Sequence, residues 1–134
     1  MEEKIIEIFN KHGVILGYLF GSYARGTTGP LSDIDVAVVF PREIDKEEEN
    51  RKIDEIKYEI EKIFNIKRAD VINLRKNTNI ALGYKIVFEG KVLVVNDSNL
   101  KFSLESKYMR DFEDTKYLRS VQFKILMNKI YVAN

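Results

Sequence analysis

The chain's residues 14–40 read Val14-Ile15-Leu16-Gly17-Tyr18-Leu19-Phe20, then Gly21-Ser22-Tyr23-Ala24-Arg25-Gly26-Thr27-Thr28-Gly29-Pro30, then, past Leu31 and Ser32, Asp33-Ile34-Asp35-Val36-Ala37-Val38-Val39-Phe40. The first run predicts a strand over 14–20. The third, largely β-branched beyond Asp35 and stopped by Pro41, predicts a second strand over 33–40. The segment between them holds three of the seven glycines and one of the two prolines, the composition of a loop in which function concentrates.

Outward from this centre, Ile5, Ile8 and Phe9 mark one face of a first helix, and Gly13 stands where a left-handed residue would end it. Beyond Pro41, the positions Ile53, Ile56, Ile60, Ile63 and Phe64 step by three or four with Lys and Glu between them, an amphipathic helix over 46–64. A short strand over 68–74 and a helix over 77–89, despite the interior Gly83, lead to a fourth strand over 91–96. Asp97 or Ser98 then caps one long or broken helix through Leu104, Tyr108, Phe112, Leu118, Val121, Ile125 and Leu126. Helices alternate with strands, so the class is α/β (α+β) in a single domain over 1–134, its core about 14–96 and its helical extension about 98–130.

Composition excludes several chemistries. The 134 residues contain no cysteine and one histidine, which rules out a disulfide framework, a thiolate zinc site and a cysteine nucleophile. With 22 Lys and Arg against 21 Asp and Glu the net charge is +1, so no global basic field advertises nucleic acid and direct nucleic-acid binding is not expected. The charged start Met1-Glu2-Glu3-Lys4 and the lack of a long apolar run lead to the expectation of a cytoplasmic protein with no membrane span.

Asp33 and Asp35 flank Ile34 on a strand and so project from one face. Two carboxylates this close oppose ionisation unless a cation lies between them, and hard oxygen donors without histidine or thiolate favour Mg²⁺, with Mn²⁺ able to substitute. Asp70, opening the next strand, can complete a two-ion cluster. Gly21 permits close backbone approach to an anion, Ser22 can donate to a phosphate oxygen, and Arg25 can reach the same oxygens as a charged fork. Ser32 either caps a turn or touches phosphate. An anion cradle beside a divalent-metal pair suits phosphoryl or nucleotidyl transfer.

Gly21-Ser22-x-Ala24-Arg25-Gly26, five residues, then Ser32-Asp33-x-Asp35 resembles the signature of the polymerase β-like nucleotidyltransferase superfamily, specifically its minimal (MNT) branch. The resemblance covers about 14–95 and implies a small mixed sheet flanked by helices, with Asp33, Asp35 and Asp70 as catalytic metal ligands and Gly21, Ser22, Arg25 and Ser32 at the nucleotide. It further implies transfer of AMP from ATP to a tyrosine of a HEPN ribonuclease partner, with this chain as the antitoxin of a HEPN/MNT module and assembly into homo- or hetero-oligomers. One departure is Asn73, where many relatives carry a second aspartate. A non-catalytic antitoxin that neutralises by binding is the alternative. A small-molecule, antibiotic-type enzyme is a third, and the short stretch after Asn96 argues against it.

Other residues call for structural roles. His12 is expected at the surface near a helix end, the run 46–51 as a solvated helix start, and Tyr108, Phe112, Tyr117 and Phe123 as core or helix-packing residues.

Overall fold

The computed structural model describes residues 1–21 and 33–132. Helix α1 (Glu2–Lys11) leads to β1 (Leu16–Phe20), and β2 (Ile34–Val39) is followed by α2 (Lys46–Ile63), β3 (Ala69–Asn73) and a 3-10 turn at Leu74–Lys76. Helix α3 (Ile80–Glu89), β4 (Lys91–Val95), α4 (Ser98–Asp114) and α5 (Lys116–Val132) complete the described chain. The sheet order is β3-β2-β1-β4. β1 runs antiparallel to both β2 and β4, whereas β2 and β3 are parallel. The sheet is therefore mixed, and α2 is the crossover that a parallel pair requires.

Both faces of the sheet are covered, which is why β2 reads as a nearly continuous apolar run. Ile34, Val36 and Val38 pack with Ile5, Phe9, Ile56 and Ile60 of α1 and α2. Ala37 and Val39 pack on the other face with Leu16, Tyr18, Ile86 and Tyr108. Asp35, alternate with Ile34 and Val36, lies on this second face.

Local chemistry sets the element ends. Asp45 caps α2 by accepting from the Glu48 amide at 2.8 Å. At the other end Lys57 donates to the Ala69 carbonyl at 2.9 Å and Glu61 accepts from the Ala69 amide at 3.0 Å. These two bonds hold the start of β3, and with it Asp70, against α2. Gly13 has φ +74°, the left-handed conformation expected of it. The long C-terminal helix is broken at Thr115, whose hydroxyl donates to the Asp111 carbonyl at 2.9 Å, a local alternative to continued helix.

Gly83 lies inside α3 because another ring needs its space. A Cβ there would stand 2.1 Å from Tyr108 Cε1. The Tyr108 hydroxyl donates to the Leu74 carbonyl at 3.3 Å and accepts from the Asn77 side-chain Nδ2 at 3.2 Å, so the ring is held at its far end as well. Helix propensity alone favours Gly83→Ala by about 1 kcal/mol. Overpacking a pinned ring reverses the sign, and we expect a net loss of roughly 1–3 kcal/mol in urea unfolding. A variant more stable than the parent would show that the α3–α4 contact yields easily.

Three expectations are corrected. His12 is buried rather than at the surface: its Nε2 lies 2.7 Å from Glu59 Oε2, and Lys52 donates to its carbonyl at 2.9 Å. The turn at Gly13 returns the end of α1 onto α2, which covers the ring. Within the run expected to be solvated, Glu49 is buried, accepting from Asn73 and pairing with Lys76 at 3.0 Å. Tyr108 and Phe112 pack as expected, the latter stacked on Tyr84 at 4.0 Å between centroids. Tyr117 and Phe123 instead stand 76% and 63% exposed.

Candidate active site

The parallel register of β2 and β3 sets Asp35 directly beside Asp70. Asp33 is exposed immediately before β2. On the other side of β2, Asp35 faces Phe20, the last residue of β1, and Gly21 follows it at φ +73°. A Cβ on Gly21 would lie 2.3 Å from Asp35 Oδ2. The anion that this glycine admits among the described residues is therefore the Asp35 carboxylate itself. Ser22, Arg25 and Ser32 lie outside the described residues.

Asp35 carries the electrostatic strain of the site. Burial, then a side-chain hydrogen bond with Asp70 and its charge, then the charge of Asp33, push its carboxyl from 3.8 up to about 6, with Arg68 acting in the opposite direction. Arg68 Nε donates to Asp70 Oδ1 at 3.0 Å, and this hydrogen bond raises the guanidinium above its ordinary value. Sequence reasoning missed Arg68, although its place two residues before Asp70 is the spacing at which strand neighbours share a face.

Among the described residues no group of three carboxylates or histidines closes into a ready-made metal cage. The donors nevertheless fit a divalent ion. Asp35 and Asp70 are hard oxygen ligands brought together by register, and a cation shared between them would offset the burial and the neighbouring negative charge that raise Asp35. A groove of about 1020 Å³ lies elsewhere, against α1 and α2, lined by His12, Tyr58, Glu59 and Ile63. It contains none of the three aspartates.

The charge pair makes a prediction about stability. A carboxyl whose folded pKa is raised binds its proton more tightly in the folded state, so stability falls as pH rises from about 4 to about 6 and then levels off. The displacement from 3.8 to about 6 corresponds to about 3 kcal/mol in full, which solvent screening at this partly open position reduces to about 1–2 kcal/mol. In EDTA, Asp35→Asn should match the parent near pH 4 and exceed it by that amount at pH 7 in denaturant unfolding. A variant less stable than the parent at pH 7 would reveal a structural partner for the ionised carboxylate.

The sequence profile described as polymerase beta, nucleotidyltransferase matches residues 3–99. The chain belongs to this nucleotidyltransferase family. A relative from Methanocaldococcus jannaschii, named as a protein adenylyltransferase, is 39% identical over 74 residues, which are 54% of this chain and 72% of that protein. Among solved structures, a chain of a toxin–antitoxin complex crystallised with AMP-PNP matches at a TM-score of 0.77 and 26% identity, over 94% of this chain and 98% of its own. The fold is shared too with a chain from the complex of a tri-AMPylated Shewanella oneidensis HEPN toxin and an MNT antitoxin, with a TM-score of 0.70, 23% identity and 94% and 95% coverage. In this nucleotidyltransferase the family match ends at the first turn of α4, whereas the alignment with the AMP-PNP complex runs well into the α4–α5 tail. No described helix is long and apolar enough to cross a membrane.

Proposed function

We propose that this nucleotidyltransferase transfers AMP from ATP to a tyrosine hydroxyl of a HEPN-type toxin and thereby acts as its antitoxin in the cytoplasm. The observation that carries the reading is the register pairing of Asp35 with Asp70 on one sheet face, beside the Gly21 turn, in a chain of this family. The adenylyltransferase relative and the AMP-PNP complex support ATP as the substrate and a toxin as the acceptor.

Asp33, Asp35 and Asp70 would hold Mg²⁺, with two ions the arrangement that three carboxylates suit. Bound Mg²⁺ supplies a lowered pKa for the attacking hydroxyl and neutralisation of triphosphate charge. Ser22, Arg25 and Ser32 would hold the triphosphate, the hydroxyls by hydrogen bonds and Arg25 as a fork. The tyrosine oxygen forms a bond to the α-phosphorus as the bond from that phosphorus to the bridging oxygen breaks. Pyrophosphate leaves and the phenolic proton passes to solvent. Arg68, donating to Asp70 Oδ1, holds that carboxylate in orientation.

The test is the mass of the toxin. Incubated with this chain, ATP and Mg²⁺, the HEPN-type protein encoded beside it should gain about 329 Da per transfer, the residue mass of AMP, and lose ribonuclease activity. Full inhibition with no gain in mass would replace catalysis with neutralisation by binding.

A further inference from the structure

We infer that α5 is the surface on which the acceptor protein docks, its apolar side chains meeting an apolar patch of the partner and its lysines meeting carboxylates at the rim of that patch. This rests on the proposed acceptor being a protein.

None of the described side chains from Lys116 to Ile130 is buried. Leu118, Phe123, Ile125 and Leu126 are each at least half exposed. At about 100° per residue, these positions with Val121 spread around more than half of the helix circumference. Helices apolar over so wide an arc are covered in their working state. A 17-residue helix in water is also marginal without tertiary packing.

Charge says what kind of surface covers it. Lys116, Arg119, Lys124 and Lys129 are the only charged residues from 116 to 134, and no acidic residue accompanies them. Arg119 is engaged within the tail, lying 3.8 Å over the Phe112 ring and donating to the Phe112 carbonyl. The three lysines are exposed and have no ion pair among the described residues. A partner surface with acidic groups around an apolar centre is complementary to this face. Lys129 projects between Leu118 and Leu126 around the helix, which suits a protein patch with its own carboxylates better than a lipid interface with its single apolar side.

The tail also lies outside the catalytic part of the chain. The family match stops at residue 99, while the likeness to a chain solved within a toxin–antitoxin complex extends over most of α4 and α5. The family match thus leaves this segment unaccounted for, whereas a chain solved within a toxin–antitoxin complex has its counterpart.

The experiment measures binding of the purified HEPN-type protein encoded beside this chain by titration calorimetry, with the full chain as parent. The double variant Phe123→Glu/Leu126→Glu replaces exposed side chains, so circular dichroism and the melting shift produced by ATP with Mg²⁺ should stay at parental values. Its affinity for the toxin should fall about 100-fold or more. AMP transfer should show a raised KM for toxin with kcat nearly unchanged, as loss of docking requires. Lys124→Glu/Lys129→Glu should weaken binding about tenfold and flatten its salt dependence. Toxin binding by Phe123→Glu/Leu126→Glu within twofold of the parent would overturn the inference. So would a parental dimer that this variant converts to monomers with toxin affinity intact, or α5-dependent binding to anionic phosphatidylserine vesicles with toxin affinity intact. A parent that binds toxin through α5 but never changes its mass removes the transfer reading alone. A parent that neither binds nor modifies the toxin overturns both.

Discussion

Asp33→Ala, Asp35→Ala and Asp70→Ala should each reduce AMP transfer by about 10³-fold or more, a loss of about 4 kcal/mol of transition-state stabilisation. The three carboxylates come from the approach to β2, from β2 and from β3, so none can take over the position of another. Losses at sites that act as one unit do not add, and the Asp33→Ala/Asp70→Ala pair should be little worse than either single variant. Arg68→Ala should be milder, about tenfold, because it removes the donor that orients Asp70 and leaves the carboxylate in place. Initial rates of adduct formation, followed by intact mass, distinguish these grades. An Asp70→Ala variant retaining parental rates would show that β3 contributes structure and not chemistry. Complex formation with the toxin should survive all four changes, since none touches α5.

Asn73→Asp should cost roughly 2–4 kcal/mol near neutral pH and lower the melting temperature correspondingly. The Asn73 side-chain amide donates to the buried Glu49 carboxylate, which Lys76 meets from the solvent side. Substitution replaces that donor with a second negative charge next to a buried one. The resemblance to relatives that carry aspartate at this position would make the change look harmless; the Glu49 contact makes it costly. Much of the loss should return in Asn73→Asp/Glu49→Gln, where the glutamine amide can donate in the reverse direction, while Glu49→Gln alone should cost only about 1 kcal/mol. Guanidinium unfolding of the four proteins closes the cycle. A coupling energy near zero would mean that Glu49 and Asn73 are neighbours without mutual dependence.

Much of the site was legible because its signals are local. The Asp-x-Asp spacing nominates Asp33 and Asp35 together, although Asp33 lies just before β2 and only Asp35 is on the strand, and a glycine after an apolar strand marks a turn. Asp70 could be nominated by its place at a strand start, but its meeting with Asp35 depends on the parallel register across the α2 crossover. Arg68 shares that limitation. His12 was misplaced because a lone histidine near a helix end gives no hint that Gly13 will fold it against Glu59. Glu49 was misplaced because a Lys-Glu-Glu-Glu run does not say which carboxylate faces inward.

Sequence alone determined the alternation of helices and strands, the amphipathic face of α2 and the left-handed glycine at position 13. Each rests on a period of two or 3.6 residues or on one residue's backbone freedom, and both act within a few residues. The tertiary structure alone decided that β3 aligns on β2 to set Asp70 beside Asp35, that Gly83 makes room for Tyr108, that Asn73 satisfies Glu49, and that Leu118, Phe123, Ile125 and Leu126 of α5 stand in the open. Those outcomes depend on which surfaces meet across tens of residues. An apolar pattern states that a face needs covering; only the packed chain shows whether the cover comes from within or from a partner.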